Sequence, residues 1–205
     1  TSTLSTSTIY TAQGFNTNGC PILSSTITVN VNSIAANFTG ANSNDIVTVG
    51  TTLNLTNTSV GATNFLWSSC NGISTNTNVT LSLANTGTCC ITLIASNASC
   101  TDSITKCIDV VNEASINIPN VFTPNSDNIN DVFKINSVGV KSLHCSIFDR
   151  WGLLLYDWTG VSGFWDGNTH SGIKTSTGTY FYVVEYTDMK DVTTNEKGFF
   201  SLFRE

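Results

Sequence analysis

IPNVFTPNSDNINDVF, running from Ile118 to Phe133, holds two of the three prolines of the chain and marks the point where its pattern changes. Pro119 and Pro124 each fix φ and lack a backbone donor, so the residues between them are held extended and cannot lie in the middle of a regular ladder. Asn125, Asp127, Asn128, Asn130 and Asp131 follow. Their short side chains bond their own backbone and tolerate left-handed conformations, which predicts a tight, self-bracing loop. Before this stretch the chain repeats; after it, it does not.

Working outward, the 205 residues allow one or two domains, and the segmented strand pattern favours two small ones. Charged residues make up 11%, where about a quarter is usual, and Thr, Ser and Asn fill the gap. That is a neutral-polar surface of extracellular type. A net charge of −6, with 8 scattered basic residues, offers no footprint for phosphate backbones or anionic lipid. No apolar run approaches the ~20 residues of a membrane span, and Thr1 opens no signal peptide, so the chain reads as mature or as a fragment of something longer. Seven cysteines, five of them between Cys70 and Cys107, match no zinc or redox spacing and point to an oxidising compartment, with at least one thiol left over.

Residues 1–32 read as two strands, Ser7 to Phe15 and Ser24 to Val31, around a turn at Asn16 to Pro21. Laid on the later chain at an offset of about 80 residues, they bring Cys20 onto Cys100 and Val31-Asn32 onto Val111-Asn112. The segment therefore reads as the last hairpin of a preceding module in a tandem array. Residues 33–112 read as a whole module, with strands at 35–38, 46–49, 52–57, 62–68, 78–83, 89–96 and 103–111. Leu53 and Leu55, Phe65 and Trp67, and Val79, Leu81 and Leu83 alternate with polar residues as half-buried strands do. Trp67 is the expected core centre.

NFTGAN at 37–42, FLWSSCNG at 65–72 and TGTCCITLIASNASCTDSITKCIDVV at 86–111 resemble a degenerate PKD-type immunoglobulin-like domain. In such a sandwich Cys70 lies near Cys89 and Cys90, and these near Cys107. The expectation is Cys70 bonded to Cys89 or Cys90, and Cys107 to the other, with free buried thiols as the alternative.

From residue 113 the strands lengthen and aromatics grow denser, predicting a second compact all-β sandwich of about 90 residues. Tyr180 to Tyr186 reads as a central strand covered on both faces. IPNVFTPNSDNINDVF, SIFDRWGLLLY at 146–156, FWDG at 164–167, GTYFYVVEYTD at 178–188 and KGFFSLFR at 197–204 resemble, in order and spacing, the gliding-motility-associated C-terminal domain. That is the type B sorting domain of the type IX secretion system. The resemblance implies export across an outer membrane and display on the bacterial cell surface or release. The implied partners are the outer-membrane translocon and its shuttle and attachment proteins.

Its motif positions here are Pro119, Phe122 and Pro124, with Asn125, Asp127, Asn130 and Asp131 of the loop. Arg150, Trp151 and Gly152 follow, then Trp165, Asp166 and Gly167, then Gly178, Tyr180 and Tyr182, and last Lys197, Gly198 and Arg204. Where the family has glycine the chain has Ser126 and Asn128, so Asn128 is expected to take positive φ. Arg150 reads as a buried structural arginine rather than a receptor contact, stacked on an aromatic or gripping a carboxylate such as Asp149 or Asp166, and Asp166-Gly167 as a tight turn. Asn125, Asp127, Asn130 and Asp131 also offer hard oxygen ligands to calcium, but without EF-hand order, and Asx bracing is the favoured reading. No other cofactor is expected.

The chain shows no Gly-rich phosphate loop and no His-Cys cluster, and His144 and His170 sit in unremarkable contexts, so no enzyme is expected. The leading expectation is the sorting end of a repetitive gliding-type surface adhesin. The alternative is the spacer or binding module and sorting tail of a secreted hydrolase.

Overall fold

The computed structural model describes residues 6–31 and 33–204, and all its regular structure is strand. By its contacts the chain divides into two compact units, with the main break after Ile108.

The strands β1 (Thr8–Phe15) and β2 (Pro21–Val29) pair antiparallel, and nearly all their residues are exposed. Asn16 shapes the turn by accepting the N–H groups of Asn18 and Cys20 at 3.0 and 2.9 Å. The second strand starts at Pro21, three residues earlier than the polar run at 24–25 suggests, because a proline is tolerated as the first residue of a strand.

Next come β3 (Phe38–Thr39), β4 (Ile46–Thr48), β5 (Thr52–Asn57), β6 (Asn64–Ser69), β7 (Gly72–Ser74), β8 (Val79–Ser82), β9 (Gly87–Ser96) and β10 (Thr101–Val111). They form a five-stranded sheet in the order β4-β10-β9-β6-β7 and a three-stranded sheet β3-β5-β8. This is the immunoglobulin arrangement, in which the two sheets bury alternate residues against each other. Leu55 and Leu81 from one sheet and Trp67, Ile91 and Leu93 from the other are buried. Trp67 meets the Phe38 ring edge-on at 5.1 Å, and its indole N–H reaches the Asn76 carbonyl at 2.9 Å. Residues 35–37, read as strand, contribute only a bridge from Ala35 to Val60, and β7 has too few apolar residues to announce itself. At the offset of 80 residues, β1 and β2 fall on 88–95 and 101–109, within β9 and β10.

Cys89 and Cys90 project to opposite sides of β9, as neighbours on a strand must. Cys89 is bonded to Cys70 just beyond β6, and Cys90 to Cys107 on β10.

The second unit carries β11 (Ser115–Asn117), β12 (Val121–Phe122), β13 (Phe133–Lys134), β14 (Asn136–Val138), β15 (Val140–Phe148), β16 (Leu154–Thr159), β17 (Phe164–Trp165), β18 (Gly178–Asp188) and β19 (Thr193–Leu202). A five-stranded sheet, β12-β19-β18-β15-β16, is faced by the short ladders β11-β14 and β13-β17. Between them lies an aromatic core. Phe133 stacks on Phe200 at 3.9 Å between centroids, and Trp165 meets Tyr180 edge-on at 5.3 Å. The strand β18 is central in its sheet but covered on one face only, contrary to the sequence expectation. Tyr180, Val184 and Tyr186 are buried, whereas Phe181, Val183 and Glu185 face outward. The short ladders shield only one side, so the aromatics on the other side are surface.

Candidate functional site: the braced loop and the turns around the aromatic core

The loop after β12 is organised by one carboxylate. Asp131 Oδ1 accepts the N–H groups of Asn125 and Ser126 at 2.9 and 2.6 Å, and Oδ2 accepts that of Asn128 at 2.7 Å. Asp127 Oδ1 accepts from Ile129 at 2.8 Å, and the Asn125 amide donates to Asp127 Oδ2 at 3.1 Å. Positive φ falls at Ser126, Asn128 and Asn130, not at Asn128 alone. Among the described residues no group of three or more His, Cys, Asp and Glu side chains is placed to hold a metal ion. Calcium bound here by Asp131 would have to displace three backbone donors. We therefore expect Asp131→Ala to lower stability by about 2 kcal/mol, and Ser126→Gly to raise it by about 1 kcal/mol by relieving left-handed strain. Urea titrations with and without calcium should give the same midpoints.

Pro124, at the entrance to this loop, and Arg204, after β19, belong to one hollow that also includes Asp166 and Lys174. Arg204 donates through Nη2 to the Gly167 carbonyl at 2.7 Å and through Nε to the Thr175 carbonyl at 3.0 Å. Gly167 is buried at φ 83°, and a Cβ there would lie 2.6 Å from Arg204 Nη2, so any other residue would strain the backbone and push the guanidinium from its place. Asp166 Oδ1 accepts the Asn168 N–H at 2.9 Å and tightens the same turn. Arg204, which holds backbone carbonyls, is thus an arginine packed into the fold, whereas the sequence reading expected that of Arg150. Arg150 is exposed and takes no part in the ion pairs among the described residues. Its neighbour Asp149 instead caps the turn, accepting the N–H groups of Trp151 and Leu153 at 2.8 and 2.9 Å. This turn leaves the Trp151 side chain 85% exposed.

The remaining motif residues divide between core and surface. Phe122, Trp165 and Tyr180 are buried. Gly198 lies opposite Tyr182, where a Cβ would come 2.4 Å from the phenol oxygen. Lys197 is exposed.

Residues 116–202, which contain this loop, these turns and the core, match the family model of the CHU_C Type IX secretion signal domain. This segment is a type IX secretion signal domain. No curated protein sequence matches the chain. Among solved structures, it is similar to fibronectin(III)-like modules of Clostridium thermocellum CbhA, at 9% identity and a TM-score of 0.37 over 83% of this chain and 95% of that one. Extracellular domains 3–5 of Drosophila OTK give 14% and 0.41, over 97% and 71%. Dimeric latent PorU from Porphyromonas gingivalis gives 10% and 0.33, over 94% of this chain and 23% of that one. At these scores the likenesses carry no argument.

The signal domain also holds a polar cluster that the sequence did not announce. Asp157 on β16 lies 3.2 Å through Oδ2 from His144 Nε2 and 2.8 Å through Oδ1 from His170 Nε2, and the His170 ring stacks on Tyr156 at 4.5 Å. The three residues stand far apart in sequence and meet only because β15 and β16 pair while the loop carrying His170 folds back onto β16. Hydrogen bonds from His170 and then His144 hold the Asp157 carboxyl below its usual range. A lowered carboxylate value contributes stability above the unfolded value of about 4, and that stability is lost as pH falls through the folded value. We expect wild type to exceed Asp157→Asn by less than about 1 kcal/mol at pH 6, because the site is exposed. The two should converge as the pH falls well below 4 in acid titrations.

In the signal domain core, burial pushes the Cys145 thiol up to about 12. At neutral pH it stays protonated and inert.

Proposed function

We propose that this chain is the sorting tail of a secreted surface protein of the gliding-adhesin type. Residues 113–205 act as the export and attachment signal, 33–112 as a PKD-like spacer module, and 1–32 as the closing hairpin of a module of the same kind. The observation that carries this reading is the match of residues 116–202 to a type IX secretion signal domain. The aromatic core supports it, because every buried member lies between Phe122 and Leu202 and the address is built as one folded body. The partners are the outer-membrane translocon with its shuttle and attachment proteins, and the location is the cell surface.

The spacer role of 33–112 rests on its surface. Among the described residues its exposed large apolar side chains are Ile46, Val49, Val60, Leu66 and Ile73, with no aromatic platform for stacking a sugar. The hairpin assignment rests on Ile9, Phe15, Ile22, Leu23 and Ile27, all exposed on two strands that cannot bury a core by themselves. The chain itself carries no catalytic role in this reading.

Deleting residues 113–205 in a bacterium with a type IX system tests the proposal. Surface labelling of the truncated protein should vanish and the protein accumulate inside the cell. Undiminished surface labelling would refute the assignment.

A further inference from the structure

β19 pairs with β18 over its whole length, from Thr193 to Leu202, but on its other side, among the described residues, the ladder to β12 covers only Ser201 and Leu202. Upstream of Asn120 the chain leaves this edge, and Ser115–Asn117 pairs with β14 instead. Ser201 and Phe203 donate their N–H groups outward, to the Asn120 and Phe122 carbonyls. The β18-β19 register runs without a bulge, so alternation points the backbone groups of Thr193, Asn195, Lys197 and Phe199 outward as well. These four residues are exposed. The result is an open strand edge with a regular row of donors and acceptors, and Phe199 (67% exposed) stands beside Phe181 on the outer face at its end, the rings 6.5 Å apart.

Resting on the signal-domain reading, we propose that this edge is where the secretion machinery grips the domain, by adding an extended segment of its own as a sixth strand against Thr193–Phe199. A row of unpaired backbone groups recognises another backbone in extended form, and the neighbouring side chains then select what accompanies it. The partner segment places an apolar residue against Phe199 and Phe181. A second copy of this chain is disfavoured by charge. Antiparallel self-pairing with full overlap sets Glu196 opposite Glu196, and the adjacent register sets Lys197 opposite Lys197, both destabilising. Polar and charged residues on an edge keep like edges apart in this way.

The test uses proline at positions whose N–H faces outward. Asn195→Pro and Lys197→Pro each remove an outward donor and leave the β18 ladder intact. In the full chain, expressed in a type IX-competent bacterium, each should lower surface display at least tenfold while the purified proteins keep wild-type melting temperatures. Phe199→Asp leaves every backbone bond in place and gives a second reading should a proline variant fail to fold; a tenfold fall is expected here too. Wild-type display of folded proline variants, or of Phe199→Asp, overturns the edge. A wild-type dimer in sedimentation equilibrium that the proline variants dissociate would make the occupant a second copy and overturn the assigned partner. If deletion of residues 113–205 left display intact, the signal-domain reading would fail; loss on deletion with normal proline variants would remove the edge alone.

Discussion

Trp165→Ala is expected to destabilise the C-terminal domain by about 4 kcal/mol, near the upper range for emptying a buried aromatic site. Trp165 is fully buried, packs against Phe122, Tyr180 and Phe200 with centroids 5.3 to 5.9 Å apart, and spends its indole N–H on the Asn168 carbonyl at 2.6 Å. Alanine would leave a hollow lined by rigid rings that cannot collapse, and would strip the Asn168 carbonyl of its partner. Since a domain of this size is stable by about 5 to 15 kcal/mol, the variant stands near its limit. Urea unfolding followed by tryptophan fluorescence reads the loss, and surface display should fall with it if the signal is read as a folded domain.

The second large effect belongs to the disulfides. Cys70–Cys89 and Cys90–Cys107 close loops with sequence separations of 19 and 17. Each contributes about 3 kcal/mol by restricting the unfolded chain. Because Cys89 and Cys90 are adjacent, both bridges clamp the same point of β9 from its two sides, to the end of β6 and to β10. Cutting both should remove about 6 kcal/mol from the module at 33–112. In calorimetry with a reducing agent, its transition should shift down by tens of degrees. The C-terminal transition should stay in place, because Cys145 takes part in no disulfide. A common shift of both transitions would contradict this picture.

Much of the fold was legible because strand physics is written with period two. Leu53 and Leu55, Val79 and Leu81, and the tyrosines of β18 alternate, and the structure places strands on each. The two N-terminal strands, read from turn chemistry at Asn16 to Pro21, are likewise strands paired in a hairpin. What was not legible depended on partners distant in sequence. Nothing local distinguishes Arg150 from Arg204. The difference is that Gly167 leaves room for one guanidinium, whereas the Asp149 turn leaves the other outside. Phe181 and Val183 read as core because they are apolar, yet the ladders β11-β14 and β13-β17 cover only the opposite face. The first half of β19, Thr193 to Lys197, is polar and carries no strand pattern of its own; it is strand because β18 templates it residue by residue. The grouping of His144, Asp157 and His170 has no sequence signal at all.

The stretch from Ile118 to Phe133 has two parts in this account. Its first half is the short strand that closes one end of the β19 edge and leaves the rest open. Its second half is a loop braced on Asp131. Whether it opens an export address is tested most directly by transfer. Residues 113–205 fused to a periplasmic reporter, in a bacterium with a type IX system, should carry the reporter to the cell surface. A fusion that stays in the periplasm with the domain folded would contradict the account.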